Sequence, residues 1–354
     1  MESDLEVFGD ITSFRRPSRL LYHFNCTEDL KRRLQDHIGQ EDFAEHFGMF
    51  RPVHLSPKAP PEAPRPDFSV YYNLDELPAG TTINSDGVAV VPSGFYHFTG
   101  FVSPLANATS LQQIEQFPIR RMAGWDVSHY EQIVRQAHAA GRVVTTWAGH
   151  MYETAWQIRG YEAFLMDLLE RPAWAESLLD RIAANNLFRA QAAAAAGADA
   201  LHCGDDIASQ KALMFSPEIW RRFMLSRWSA VWAAAKKIKP DIRIHYHSDG
   251  DILEIVPELV AAGVDILNPV QPECLDATAI YARFAGRLAM DGLIGTQSTM
   301  PFGSADDVRR RVRECVETYG RSGGLILSPT HILEPEVPIA NIEAFVEACR
   351  EYTQ

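Results

Sequence analysis

The chain has 354 residues, 46% hydrophobic and 22% charged, with a formal net charge of -13. That length suits a barrel with insertions and the balance fits a globular enzyme, whereas the negative charge argues against a general nucleic-acid binder, which needs a basic surface. No apolar window of about 18 residues reads as a membrane span, and five widely spaced cysteines without a CxxC, behind an acidic start with no apolar leader core, predict a reducing, cytoplasmic setting.

In chain order, residues 1–70 read as irregular. They hold a leader around Phe8-Gly9-Asp10-Ile11, a first strand Arg19 to Phe24, a helix from Glu28 to about His37 behind Thr27, a short helix Asp42 to Phe47, and a proline-rich wrapping segment over 51–70. Gly87 to Val91 and Gly94 to Phe98 look like strands. We therefore expect residues 1–100 to form an extension that wraps a unit spanning 101–354. From about residue 127 the pattern becomes regular. A helix His129 to Ala140 precedes strand Val143 to Trp147, and Pro172 opens a long helix that runs almost to Ala196. Strand Ala200 to Cys203, a helical stretch from Ser216-Pro217-Glu218 to Lys239, and strand Ile242 to His247 follow. Further strands cover 263–269, 287–293 and 323–328, separated by helices over 252–262, 277–284 and 305–319 and closed by a helix over 339–352. At least six strand–helix units in series predict a parallel sheet, and favour a (β/α)8 TIM barrel over a doubly wound sheet. No glycine-rich nucleotide fingerprint is present.

Barrels place chemistry where strands end. The ends here carry Trp147, His150 and Glu153; His202, Cys203, Asp205 and Asp206; His245, His247 and Asp249; Asn268, Gln271, Glu273 and Cys274; Asp291; and Thr330 with His331. Alternation along a strand puts His245, His247 and Asp249 on one face, a set suited to a divalent metal or to acid–base chemistry. His245 reads equally well as a hydrogen-bonded core residue. His247, Cys274 and His331 come from separate strand ends and suit zinc, with Asp249 as a fourth ligand; the competing reading makes Cys274 a buried thiol and His331 a cap or substrate contact. Asp205 is a candidate substrate or proton-handling carboxylate, with Asp206 either beside it in that role or capping the next helix. Trp147, Tyr152, Asn268 and Gln271 are candidates to line a substrate pocket, and the two aromatics also fit a core.

Several of these stretches together resemble the uroporphyrinogen decarboxylase (URO-D) superfamily, which also contains corrinoid-linked methyltransferases. The resemblance covers roughly 100–350. It rests on Gly204-Asp205-Asp206 with Phe215-Ser216-Pro217-Glu218, on His247-Ser248-Asp249-Gly250, on Gly263 to Pro272, on Pro301-Phe302-Gly303-Ser304, and on Ser328-Pro329-Thr330-His331 with Pro338 to Ile342. The Arg-Gln-Ala-Gly-Arg stretch that binds propionates in true decarboxylases is absent; the corresponding region reads Arg16 to Phe24. The methyltransferase branch is similar in carrying His-x-Cys after one strand and a second Cys near the last, all on zinc. Here the motif reads His247-Ser248-Asp249 and the last position is His331, which hardens the site from sulfur toward nitrogen and oxygen, with Cys274 available as one soft ligand. The resemblance implies a zinc-dependent enzyme that moves a methyl group between a small molecule and a thiol or a corrinoid on a separate protein. In that enzyme Asp205, Asp206, Glu153 or His245 would orient substrate or move a proton. The alternatives are metal-free decarboxylation of an anionic substrate, with Arg15, Arg16, Arg19 and Arg159 as candidate cations, or a non-catalytic binder of a small molecule or corrinoid protein. A homodimer is compatible with all three.

Overall fold

The computed structural model describes residues 2–63, 66–92 and 98–352. Eleven strands appear among them: β1 Leu21–Tyr22, β2 Val53–Leu55, β3 Thr82–Ile83, β4 Ala89–Pro92, β5 Thr99–Val102, β6 Val144–Gly149, β7 Ala200–Gly204, β8 Arg243–His247, β9 Ile266–Val270, β10 Ala289–Ile294 and β11 Leu325–Pro329. Eight of them form one parallel sheet in the order β1-β11-β10-β9-β8-β7-β6-β2, curled with helices around it, the (β/α)8 TIM-barrel-like architecture the strand–helix alternation predicts. The two edges approach where the Phe50 N–H donates to the Tyr22 carbonyl at 2.8 Å. β3, β4 and β5 form a separate antiparallel sheet. The expected strand Gly94 to Phe98 falls largely on residues 93–97, outside the described residues.

The helices end where their residues dictate. The long helix is Pro172–Ala196: proline suits a first turn that has no N–H partner to lose, alanine is the strongest helix former, and Gly197 takes the left-handed conformation that closes it. The helical stretch expected after Ser216 is Pro217–Trp220 and Ser226–Ile238, joined by a π-helical turn over Arg221–Leu225. No helix among the described residues is long and apolar enough to cross a membrane.

Two expectations for the first hundred residues change. The leader is a helix, Asp4–Thr12, opened by a capping box in which Ser3 and Glu6 satisfy one another's backbone N–H groups. The wrapping segment contains β2, so two of the eight strands of the parallel sheet come from before residue 100. With three residues β2 is too short for periodicity to reveal, whereas β1 falls inside the expected strand Arg19 to Phe24. Parallel pairing of β2 with β6, from Val53 beside Val144 to Leu55 beside Thr146, holds a segment that proline content alone makes look unpaired.

Inward-facing residues stack in layers. At the strand starts Leu21, Val143, Ala200, Ile266, Ala289 and Ile326 pack with Val7, Phe8 and Ile11 of the first helix, so this helix plugs the N-terminal end of the barrel. Burying Phe8 there contributes about 1.5–3 kcal/mol relative to leaving it exposed. One step up each strand the layer turns polar, and the site lies at and above that layer.

Candidate active site at the strand ends

β7 stops at Gly204, whose φ of 152° and crowding both require glycine: a Cβ there would lie 2.0 Å from the His247 carbonyl oxygen. This close approach lays the loop after β7 against the loop after β8. The Asp205 N–H donates to His247 O at 3.0 Å, and the Asp249 N–H to Asp206 Oδ1 at 2.9 Å. As a result, ligand atoms of Asp206, His247 and Asp249 all lie within 4.8 Å of one another. His247 Nε2 is 3.5 Å from Asp206 Oδ1, and His331 Nε2, arriving from beyond β11, is 3.5 Å from Asp249 Oδ2. The other nitrogen of His247, Nδ1, is 2.7 Å from Asn268 Oδ1. Since that oxygen can only accept, Nδ1 is the donor of this pair and Nε2 is the nitrogen that faces the carboxylates. Burial lowers the imidazole's basicity, but the charges of Asp206 and Asp249 outweigh it and raise the His247 pKa. The group is built to hold positive charge, as a proton or as a cation.

A second group sits beside it. Asp205 is fully buried and accepts from the Met151 N–H at 2.7 Å, the Glu153 N–H at 3.1 Å and Trp228 Nε1 at 2.9 Å. It therefore caps the helix Tyr152–Arg159, and burial pushes its carboxyl pKa up to about 7. His150 Nδ1 lies 2.6 Å from Glu153 Oε2 and 2.6 Å from the Gly204 carbonyl. Burial works against its charged form, yet the hydrogen bond and charge of Glu153 raise it to about 9. Glu153 Oε2 also accepts from the Asp206 N–H at 3.2 Å. Although His150, Glu153 and Asp205 could converge on an ion, their own pairings already satisfy them.

The floor below is polar. Asp291 of β10, fully buried, lies 3.2 Å from His23 Nε2 and 3.2 Å from His245 Nε2 and accepts from Ser328 Oγ at 2.9 Å. Burial would raise the Asp291 carboxyl, but the two histidines hold it far below the carboxylate range. His202 stacks on His245 at 4.4 Å, and burial with the neighbouring His245 and His247 keeps its ring neutral. Trp147 stands 38% exposed over this layer, edge-on to His150 at 4.6 Å and His202 at 5.1 Å.

Other expected site residues land elsewhere. Tyr152 is fully buried against Phe164 and Phe215, a core aromatic rather than a pocket wall, because the first turn of its helix faces inward. Gln271 is buried, and its Oε1 accepts from the Gly250 N–H at 3.2 Å and the Cys274 thiol at 3.5 Å, which makes it a brace between loops. Asn268 orients His247. Cys274 joins neither group of potential ligands, and Asp206 is the third residue that gathers with His247 and Asp249. The arginines considered for carboxylate binding are committed away from the site: Arg15 pairs with Asp10 and Arg19 with Asp4 of the plug helix, and Arg159 is buried against Asp167 at 2.6 Å; Arg16 is exposed. A groove of about 700 Å³ between residues 70–77 and 102–116 has Glu76 as its sole charged lining residue and takes in none of the strand-end histidines. His23 was not singled out from the sequence, although its alternation with Leu21 in the first strand put it on the inward face.

A model of the family described as uroporphyrinogen decarboxylase (URO-D) matches residues 133–352. No curated protein matches the chain. Among solved structures, a methyltransferase from Methanosarcina mazei superposes with a TM-score of 0.65 at 17% identity, covering 100% of both chains. An alpha-amylase from Geobacillus thermoleovorans superposes with a TM-score of 0.41 at 9% identity over 95% of this chain and 78% of that one. The first likeness is one of fold and covers the first hundred residues as well as the rest.

Proposed function

The chain belongs to the uroporphyrinogen decarboxylase (URO-D) family, and from that premise we propose that it is a metal-dependent, methyltransferase-like enzyme that moves a methyl group between a small molecule and a corrinoid or thiol carrier. The observation that carries this reading is the convergence of Asp206, His247 and Asp249, with His331 alongside and Asn268 fixing the His247 ring. The donors fit a divalent cation: two imidazoles and two carboxylates offer neutral nitrogen and anionic oxygen, and the side chains of His247, Asp249, His331 and Asp206 are 25%, 25%, 30% and 39% exposed, open enough to receive one. Zinc held there would act as a Lewis acid on the heteroatom that gains or loses the methyl group.

The chain's own residues divide the remaining work. Trp147 offers an exposed aromatic face to a substrate. The His150–Glu153 pair keeps Asp206 in place through the Asp206 N–H. Asp205 holds the loop after β6 to the loop after β7. The carrier would be a separate molecule that docks at the open ends of the strands.

The test is metal analysis by mass spectrometry on the wild type and His247→Ala, followed by an assay with methylcobalamin. About one zinc per chain, lost in the variant, is the expected outcome. Equal metal content in both proteins would remove the ligand assignment, and with it the observation on which the reading rests.

A further inference from the structure

About 7 Å below His247, two residues down β8, the barrel interior is polar where aliphatic side chains usually interlock. His23 comes from just after β1, His202 from β7, His245 from β8, Asp291 from β10 and Ser328 from β11. His23 Nε2 lies 3.2 Å from each Asp291 oxygen. Val7, Phe8 and Ile11 close the layer beneath, so the 29% exposure of the His23 side chain faces the mouth of the barrel. A fully buried carboxylate is costly unless a positive charge or strong donors compensate it. Asp291 has two imidazoles for this purpose, and its charge and hydrogen bond raise the pKa of His23 over the opposing effect of burial. The other groups around this pair are His245, the neutral His202 stacked on it, the Ser328 hydroxyl and, beyond His202, the ring of His247. The pairing also leaves Nδ1 of His23 as the nitrogen that Asp291 does not engage.

We propose that His23 is a proton-transfer residue of this site and that Asp291 is its positioning partner. The role rests on the methyl-transfer reading above. When a thiol accepts the methyl group, its S–H proton passes to neutral His23 as the sulfur electron pair forms the S–CH3 bond. The cobalt–carbon bond of methylcobalamin breaks with its electron pair left on cobalt, and the proton then goes to water. In the opposite sense, the imidazolium returns a proton to a heteroatom that has lost its methyl group to the carrier.

The experiment has two readouts on metal-loaded protein. Imidazole NMR titration of His23 is compared between the wild type and Asp291→Asn. The pH profile of methyl transfer from methylcobalamin to 2-mercaptoethanol is compared between the wild type, Asp291→Asn and His23→Gln. Loss of the carboxylate should lower the His23 midpoint by roughly 1–3 pH units and carry the acid limb of kcat/KM with it. His23→Gln should abolish that limb and lower kcat roughly 10²–10⁴-fold with metal content unchanged. It also leaves Asp291 its His245 and Ser328 partners, which keeps the inference testable if Asp291→Asn does not fold. A His23→Gln variant with the wild-type pH profile, or an unmoved His23 midpoint in Asp291→Asn, overturns the inference while methyl transfer itself stands. A wild type inert toward methylcobalamin removes the methyl-transfer reading and this role together.

Discussion

At the scale of residues, the site is a problem of how to keep charges in a half-buried place. Several carboxylates near the strand ends have an imidazole beside them: Asp291 has His23 and His245, Asp206 has His247, Asp249 has His331, and Glu153 has His150. The His150 pair makes a pH-dependent contribution whose sign follows from its shift. Its folded pKa of about 9 lies above the ordinary 6.5, so the folded state binds the proton more tightly than the unfolded chain. The stabilisation is complete below the ordinary value and is lost as pH rises through about 9. Thermal unfolding should therefore show the wild type losing its advantage over His150→Gln between pH 6.5 and 9. Parallel curves for the two proteins would mean that the pair stores no such energy. The residue types were readable in advance, because six strand ends rich in His, Asp, Glu, Cys and Gln pointed to this face. Their roles were not. Asp206 rather than Cys274 lies near His247 and Asp249 because that depends on which loop bends toward which, and Tyr152 turned inward because its ring fits the space between Phe164 and Phe215.

At the scale of elements, the helix Asp4–Thr12 has the clearest separable task. Val7 and Ile11 are fully buried and Phe8 nearly so, all against the first inward layer of the strands. Phe8→Ala removes a large ring from a site walled by several different strands that cannot all collapse inward, and should cost about 3–5 kcal/mol in urea unfolding. A cost under about 1 kcal/mol would show that the plug is loosely packed. The long strand–helix units in the second two-thirds of the chain were legible because each repeats a strong pattern: an apolar strand, a break, then an amphipathic helix. Pro172–Ala196 starts at the expected residue and ends close to where it was expected, since proline and glycine mark its two ends. β2 gave no comparable signal, having too few residues for alternation to emerge, while β1 lies inside the strand expected over Arg19 to Phe24.

At the scale of the whole molecule, fold and site are linked through the ligand atoms. Asp206 follows β7, His247 ends β8, Asp249 lies just beyond it and His331 follows β11, so a cation bound by all four would tie distant parts of the sheet together. Unfolding scatters them. A cation that binds only the folded chain should add about 2.7 kcal/mol of stability at one hundred times its Kd. Denaturation with and without saturating zinc should show that gain in the wild type and not in His247→Ala; a wild type indifferent to zinc would count against the metal group. The amino-acid sequence by itself determined the parallel barrel-like class, the strand ends at which polar residues gather and the superfamily, because these follow from short-range pattern and from motifs carried within single loops. Only the tertiary structure decided that residues 1–100 supply two barrel strands and a plug, that Asp206 joins His247 and Asp249, and that His23 meets Asp291 across 268 positions of chain. Those contacts depend on the curl and register of the sheet, which bring side chains together through space and leave no local trace in the order of residues.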